Sequence, residues 1–202
     1  MGIIVGLPRS GGSEKDLQLN FGKVMAQQTE MRAPFLPAEW YPQSGVQLTW
    51  PHAGTDWAYM LDEVQECFVN IANEIAQREL LLIVTPEPEE VKKQIVATVN
   101  MENVRFLKCG TNDTWARDHG AITMMDVDAP SLLDFTFNGW GLKFASDLDN
   151  QITRRAIENG VLKGRYVNRL GFVLEGGSIE SDGMGTLLTT SECLLSPNRN
   201  GQ

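Results

Sequence analysis

The sequence predicts an α/β fold with mixed sheets, and three observations lead there. Helix-period stretches alternate with short apolar runs of strand length; two such runs, "GAITMMDV" and "SLLDFTFN", adjoin across a turn at "DAPS"; and "GGSIES" meets "GTLLTT" across Asp182-Gly183. Alternation requires strands covered by helices, whereas adjacent hairpins require antiparallel neighbours. A purely parallel sheet is therefore excluded.

Each element follows from local pattern. Residues 56–78 place Trp57, Met60, Leu61, Val64, Phe68, Ile71 and Ile75 three and four apart, which stripes one face of a helix that Thr55 or Asp56 caps. "LLLIVTP" then reads as a short buried strand stopped by Pro86. A second helix fits residues 88–99, with acidic residues at its positive end, and "VRFLKC" reads as the next strand. After the hairpin of "GAITMMDV" and "SLLDFTFN", a polar helical stretch at 147–159 leads to "GFVLEGGSIES". Residues 9–31 show no sustained period, so residues 1–31 are expected to be an extension and 32–202 the folded domain. A chain of 202 residues is long enough to bury a sizeable core.

Composition narrows the function. With 26 acidic and 17 basic residues the formal charge is −9, a field that repels nucleic acid and anionic membrane and suits a cationic or neutral ligand. The longest apolar run, "LLLIV", is far too short to span a bilayer, and no basic segment precedes the apolar N-terminal residues as a signal peptide would require. Cys67, Cys109 and Cys193 are odd in number with no CxxC, against a disulfide framework and in keeping with a reducing cytoplasm. His52 and His119, the only histidines, lack metal-ligand spacing, and no GxGxxG or P-loop occurs. Neither a metal nor a cofactor is expected.

Three short motifs carry candidate chemistry. In "NDTWARDHGA", the Asp118 carboxylate can accept two parallel hydrogen bonds from a guanidinium, and the Trp115 indole can add a cation–π contribution of roughly 0.5–2 kcal/mol. The same residues also read as a core tryptophan, a surface Arg117–Asp118 pair and a turn capped by His119. "NGWG" at 138–141 flanks an indole with glycines, as suits a loop whose backbone approaches a ligand or another strand, or a plain turn with a packed ring. "LEGG" carries Glu175 off a buried strand, and a buried acid needs a donor or a cation: a backbone bond, or a histidine to orient. His52 in "TWPH" reads as structural.

In succession, "LPAEWYPQSGVQLTWPH", "DTWARDHGA", "FNGWG" and "LEGGSIESDGMGTLLTT" resemble the agmatine deiminase and Porphyromonas-type peptidylarginine deiminase family, within the guanidino-group-modifying (pentein) superfamily, from about Leu36 to Asn200. The resemblance implies a pentein-type α/β propeller of ββαβ units around a pseudo-fivefold axis, of which this chain holds the N-terminal repeats. It implies hydrolysis of a guanidinium to a ureido group and ammonia, foremost agmatine to N-carbamoylputrescine, by a cysteine thiolate with a histidine and acids and no cofactor. Carried over by motif, Asp118 binds the substrate guanidinium, Trp115 lines that site and Glu175 supports the catalytic histidine. Peptidylarginine deimination and noncatalytic guanidine binding are the alternatives. The family's Gly-His-x-Asp segment and late cysteine have no match here. The chain is therefore expected to hold the substrate-binding half, to be inactive alone, and to self-associate or take a second chain through the face left open.

Overall fold

Every residue of two central strands, β2 (Gly45–Thr49) and β3 (Leu80–Thr85), is buried, which is the outcome the unbroken apolar run "LLLIV" demands. The computed structural model describes residues 2–4 and 34–201. Its first sheet has the order β1 (Gly2–Ile4), β2, β3, β4 (Val104–Lys108), with β1 antiparallel to β2 and the other neighbours parallel. Apart from Gly2–Ile4, the extension assigned to residues 1–31 lies outside the described residues.

Alternate side chains of β3 serve two cores. Leu81 and Ile83 join Val46, Leu48 and Trp50 beneath helices α1 (Leu61–Ala76) and α2 (Pro88–Ile95), which contribute Ala72, Ile75, Val91 and Ile95. Leu80, Leu82 and Val84 face Leu107, Leu132, Ile152, Ala156 and Leu162 on the other side. At roughly 1.5–3 kcal/mol for each fully buried aliphatic side chain, this strand ties the two cores together, as β4 does with Val104 in the first and Leu107 in the second.

The helices are shorter than their sequence pattern. A 3₁₀ turn, Ala58–Met60, precedes α1, so Thr55 does not cap it; its hydroxyl donates to the His52 carbonyl at 2.8 Å. Asp62 and Glu63 in the first turn supply the negative charge there instead. Helix α2 starts on Pro88 and ends at Ile95, after which a turn carries the chain to the buried Val99.

The second sheet places β5 (Ile122–Met124) antiparallel to β6 (Ser131–Thr136), as the hairpin pattern requires, and β6 parallel to β7 (Arg165–Val173). Between α3 (Ala116–His119), a single turn, and α4 (Ile152–Glu158) the chain makes the "NGWG" turn. Strands β8 (Ile179–Ser181) and β9 (Leu187–Thr189) form the expected hairpin, whose loop is organised by the Asp182 carboxylate accepting from Met184 and Thr186 amides at 2.7 and 3.0 Å. Thr190 then caps α5 (Ser191–Leu195) by accepting from the Cys193 amide. The fold is α/β with mixed sheets. Among the described residues no helix is long and apolar enough to cross a membrane.

Candidate active site

The parallel strands β2 and β4 end at the same edge of the first sheet, so the loops that follow them meet: His52 bonds Thr111 at 2.9 Å and the Trp57 indole donates to Thr114 at 2.9 Å. The second of these loops runs into α3. Asp113 accepts from the Trp115 amide at 2.8 Å, which starts the turn, and Ala116 and His119 point into the protein. Asp118 is thereby left half-exposed on the outer side.

Its carboxylate is held by two uncharged donors. Oδ1 accepts from the Gly177 amide at 3.0 Å, and Oδ2 accepts from the Trp140 indole Nε1 at 3.2 Å. Arg117, adjacent in sequence, turns to Glu39 instead, so the surface Arg117–Asp118 pair does not form. Among the described residues no ion pair reaches Asp118. Each carboxylate oxygen has acceptor capacity for a further donor, and the negative charge is uncompensated.

Both donors depend on close backbone approach. A Cβ on Gly176 would stand 2.2 Å from the Arg117 carbonyl oxygen, and one on Gly177 would stand 2.3 Å from Asp118 Oδ1; only glycines let the "EGG" loop lie against α3. From Gly139 to Leu142 the backbone has positive φ at every residue, +62° at Gly139, 57° at Trp140, +86° at Gly141 and 67° at Leu142. At Trp140 and Leu142 this conformation costs about 1–2 kcal/mol each. The Asn138 side chain holds the turn by accepting from the Gly141 amide at 2.9 Å, while Phe137 and Phe144 meet the Trp140 ring edge-on at 4.9 and 5.7 Å. The strained turn is what carries the indole N–H to Asp118.

Glu175 is buried, 4% exposed, and takes a forked contact from Arg199: Nε to Oε1 at 2.9 Å and Nη2 to Oε2 at 3.2 Å. The donor its burial calls for is therefore an arginine from the segment after α5. The two histidines are engaged elsewhere. His119 is no turn cap but a core residue: its Nε2 lies 3.4 Å from the Thr49 hydroxyl, its Nδ1 has no partner among the described residues, and burial drives its pKa down to about 3. Trp115 is 51% exposed, and the indole bonded to Asp118 is Trp140. Sequence reasoning missed Trp140 and Arg199 as site residues; the glycine-flanked indole was the only signal for either. A hollow bordered by Trp140, Gly141, Lys143, Pro197 and Arg199 opens beside that indole, and Asp118 lies outside its lining.

The loop that delivers α3 is braced by Asp149. Its Oδ1 accepts from the Asn112 and Asp113 amides at 2.8 and 3.3 Å, while Oδ2 is buried without a partner among the described residues. Burial raises this carboxyl to about 6 from the ordinary 3.8. The folded state therefore binds the proton more tightly than the unfolded state, so this group stabilises fully below about 3.8 and that contribution is lost as pH rises through about 6. Thermal denaturation of wild type and Asp149→Asn between pH 4 and 7 should show the wild type losing stability relative to the variant as pH rises; parallel curves would refute it.

Among the described residues no group of three His, Cys, Asp or Glu side chains is placed to hold a metal ion. Cys67 is exposed on α1, Cys193 is half-buried in α5, and Cys109 is buried with its thiol pushed up by desolvation.

Residues 35–202 match the family model described as Porphyromonas-type peptidyl-arginine deiminase. The agmatine deiminase of Pseudomonas syringae pv. syringae (strain B728a) is 37% identical over 171 residues, which cover 82% of this chain and 45% of that protein. Among solved structures, a Porphyromonas gingivalis protein assigned as an arginine deiminase is 48% identical with a TM-score of 0.73, covering 83% of this chain and 50% of that one. A cysteine-to-serine variant of C. jejuni agmatine deiminase with substrate bound is 36% identical, also with a TM-score of 0.73, covering 83% of this chain and 49% of that one. The chain spans about half the length of the curated relatives it matches.

Proposed function

The chain belongs to the Porphyromonas-type peptidyl-arginine deiminase family, and from that premise we propose that it carries the substrate-binding half of an enzyme that converts a guanidinium group, water added, to a ureido group with loss of ammonia. One observation carries the reading: the Asp118 carboxylate is half-exposed, fixed by the Gly177 amide and the Trp140 indole, and paired with no described cation. A planar cation with two parallel N–H groups is the ligand such an oxygen pair accepts best. Trp115, exposed beside Asp118 in the chain, lines the approach and offers its ring face to the cation.

Agmatine, giving N-carbamoylputrescine, is the first substrate in this reading, because curated relatives bear the name agmatine deiminase. The family description favours peptidyl-arginine as the second, and a noncatalytic guanidine-binding chain is the third. Glu175 supports a histidine N–H through the acceptor capacity that the Arg199 fork leaves on its oxygens. That histidine and the nucleophilic thiolate come from the part of the relatives that this chain does not span. The described residues form the N-terminal units of a pseudo-fivefold propeller, and three free cysteines fit a reducing cytoplasm. Strand β9, which exposes Leu187 on one face and Leu188 on the other, is the edge through which this chain self-associates or takes its second chain.

Calorimetric titration of the 202-residue chain with agmatine, a peptidyl-arginine and putrescine tests the proposal. The guanidino compounds should bind in a 1:1 ratio while putrescine, a cation without the planar group, should not. No ammonia should be released from agmatine. Binding of putrescine as tight as that of agmatine, or no binding of either guanidine, refutes the guanidinium site, and ammonia release would show that one of the three cysteines is the nucleophile.

A further inference from the structure

The two donors that hold Asp118 come from separate loops, and one side chain lies beneath both. Glu175 begins the "EGG" loop that supplies the Gly177 amide, and Arg199 grips it through Nε and Nη2 at 2.9 and 3.2 Å. Gly141 belongs to the turn that supplies the Trp140 indole, and a Cβ there would stand 3.2 Å from Arg199 Nη1. The guanidinium thus fills the space between the two loops, with Nη1 also donating to the Ser196 hydroxyl at 3.1 Å. Its own segment is tied to the same elements. Asn198 accepts at its carbonyl from the Asn138 side chain at 2.6 Å, and the Asn200 side chain both accepts from the Val173 amide and donates to the Val173 carbonyl, at 2.9 and 2.8 Å. Arg199 and Glu175 are 14% and 4% exposed at their side chains, so neither wanders in solvent.

We propose that Arg199 is the positioning residue of the guanidinium clamp: its buried fork on Glu175, packed under the "NGWG" turn, sets both the Gly177 amide and the Trp140 indole against Asp118. A second consequence follows from charge. Because Arg199 neutralises Glu175, Asp118 is left as the one uncompensated carboxylate of this constellation, and a single guanidinium meets a single negative charge. The inference rests on Asp118 being the guanidinium-binding acid, yet its structural part can be read without any ligand.

The test is a ¹H–¹⁵N spectrum of the full chain, in which the five tryptophan indoles give a small resolved set. The Trp50 and Trp57 indoles, bonded to Gln94 and Thr114, report the rest of the fold. In Arg199→Ala the Trp140 indole and Gly177 amide should both move upfield while Trp50 and Trp57 stay in place, and Arg199→Lys, which keeps the charge without the fork, should move them part of the way. Affinity for agmatine in Arg199→Ala should fall about tenfold, the factor that accompanies loss of one hydrogen bond of ordinary strength. Unmoved Trp140 and Gly177 resonances overturn the proposal. If Arg199→Ala disturbs Trp50 and Trp57 as well, Glu175→Gln decides: movement confined to Trp140 and Gly177 supports the positioning role, and no such movement overturns it. A wild-type chain that fails to bind agmatine but shows the local shifts would refute the guanidinium site and leave the positioning role standing.

Discussion

Asp118→Asn is expected to weaken binding of agmatine by about 100-fold with the fold unchanged. The carboxylate offers two charged acceptors to a planar cation, and charge-assisted hydrogen bonds are worth roughly 1.5–3 kcal/mol against about 0.5–1.5 kcal/mol for neutral ones. Losing charge on both oxygens removes about 2–3 kcal/mol, a factor of about 30 to 150. The amide adds a second cost. Its nitrogen must face either the Gly177 amide or the Trp140 indole N–H, both donors, so one of the bonds that fix the side chain becomes a clash of like groups. Because Asp118 is half-exposed and forms no described ion pair, the substitution should leave the melting temperature within a few degrees. Titration calorimetry beside a thermal melt checks both halves, and an affinity within about threefold of wild type would remove Asp118 from the binding role.

How much of this was visible in the sequence depends on whether the determining contact is local. "LLLIVT" announces a strand buried on both faces because each residue is apolar or β-branched, and Asp182-Gly183 announces a hairpin because the turn conformation is chosen by those residues alone. "EGG" signals close backbone approach, although not that the neighbour is α3. Asp118 could be singled out as an acid beside an indole, whereas the indole it actually meets is 22 positions further on and reaches it only because four successive residues adopt positive φ. Nothing in "NGWG" states that Trp140 rather than a glycine would bear such strain. Arg199 sits in "SPNRNGQ", which reads as a polar tail, and its partner Glu175 lies 24 residues earlier. The burial of His119 escaped notice for a related reason: a turn of four residues is too short to display a face, so its inward side is decided by what packs against it. Likewise the 3₁₀ turn that displaces Thr55 from the start of α1 leaves no mark on the apolar stripe.

The Arg199–Glu175 pair should also have the largest effect on stability of any exchange in the site. Removing one member of a buried ion pair costs about 3–5 kcal/mol, because the other charge keeps its desolvation penalty and loses its compensation. For a chain of this size that corresponds to a fall of roughly 10 °C in melting temperature for Arg199→Met. Glu175→Leu alone should be comparably harmful, since it strands a guanidinium that is 14% exposed. The combined Arg199→Met and Glu175→Leu chain behaves differently. Apolar side chains of similar volume need no counter-charge, and such replacements of a buried pair range from neutral to stabilising. The double variant should therefore melt above either single variant, which with single costs of about 3–5 kcal/mol requires a coupling larger than about 3 kcal/mol, measured by denaturant titration of all four chains. A double variant no more stable than Arg199→Met would mean that the fork contributes packing rather than charge compensation. Affinity separates the two tasks of the pair. Methionine and leucine can refill the volume, but neither ties the "EGG" loop to the "NGWG" turn by directed bonds, so agmatine binding should stay weak in the double variant even where its stability returns.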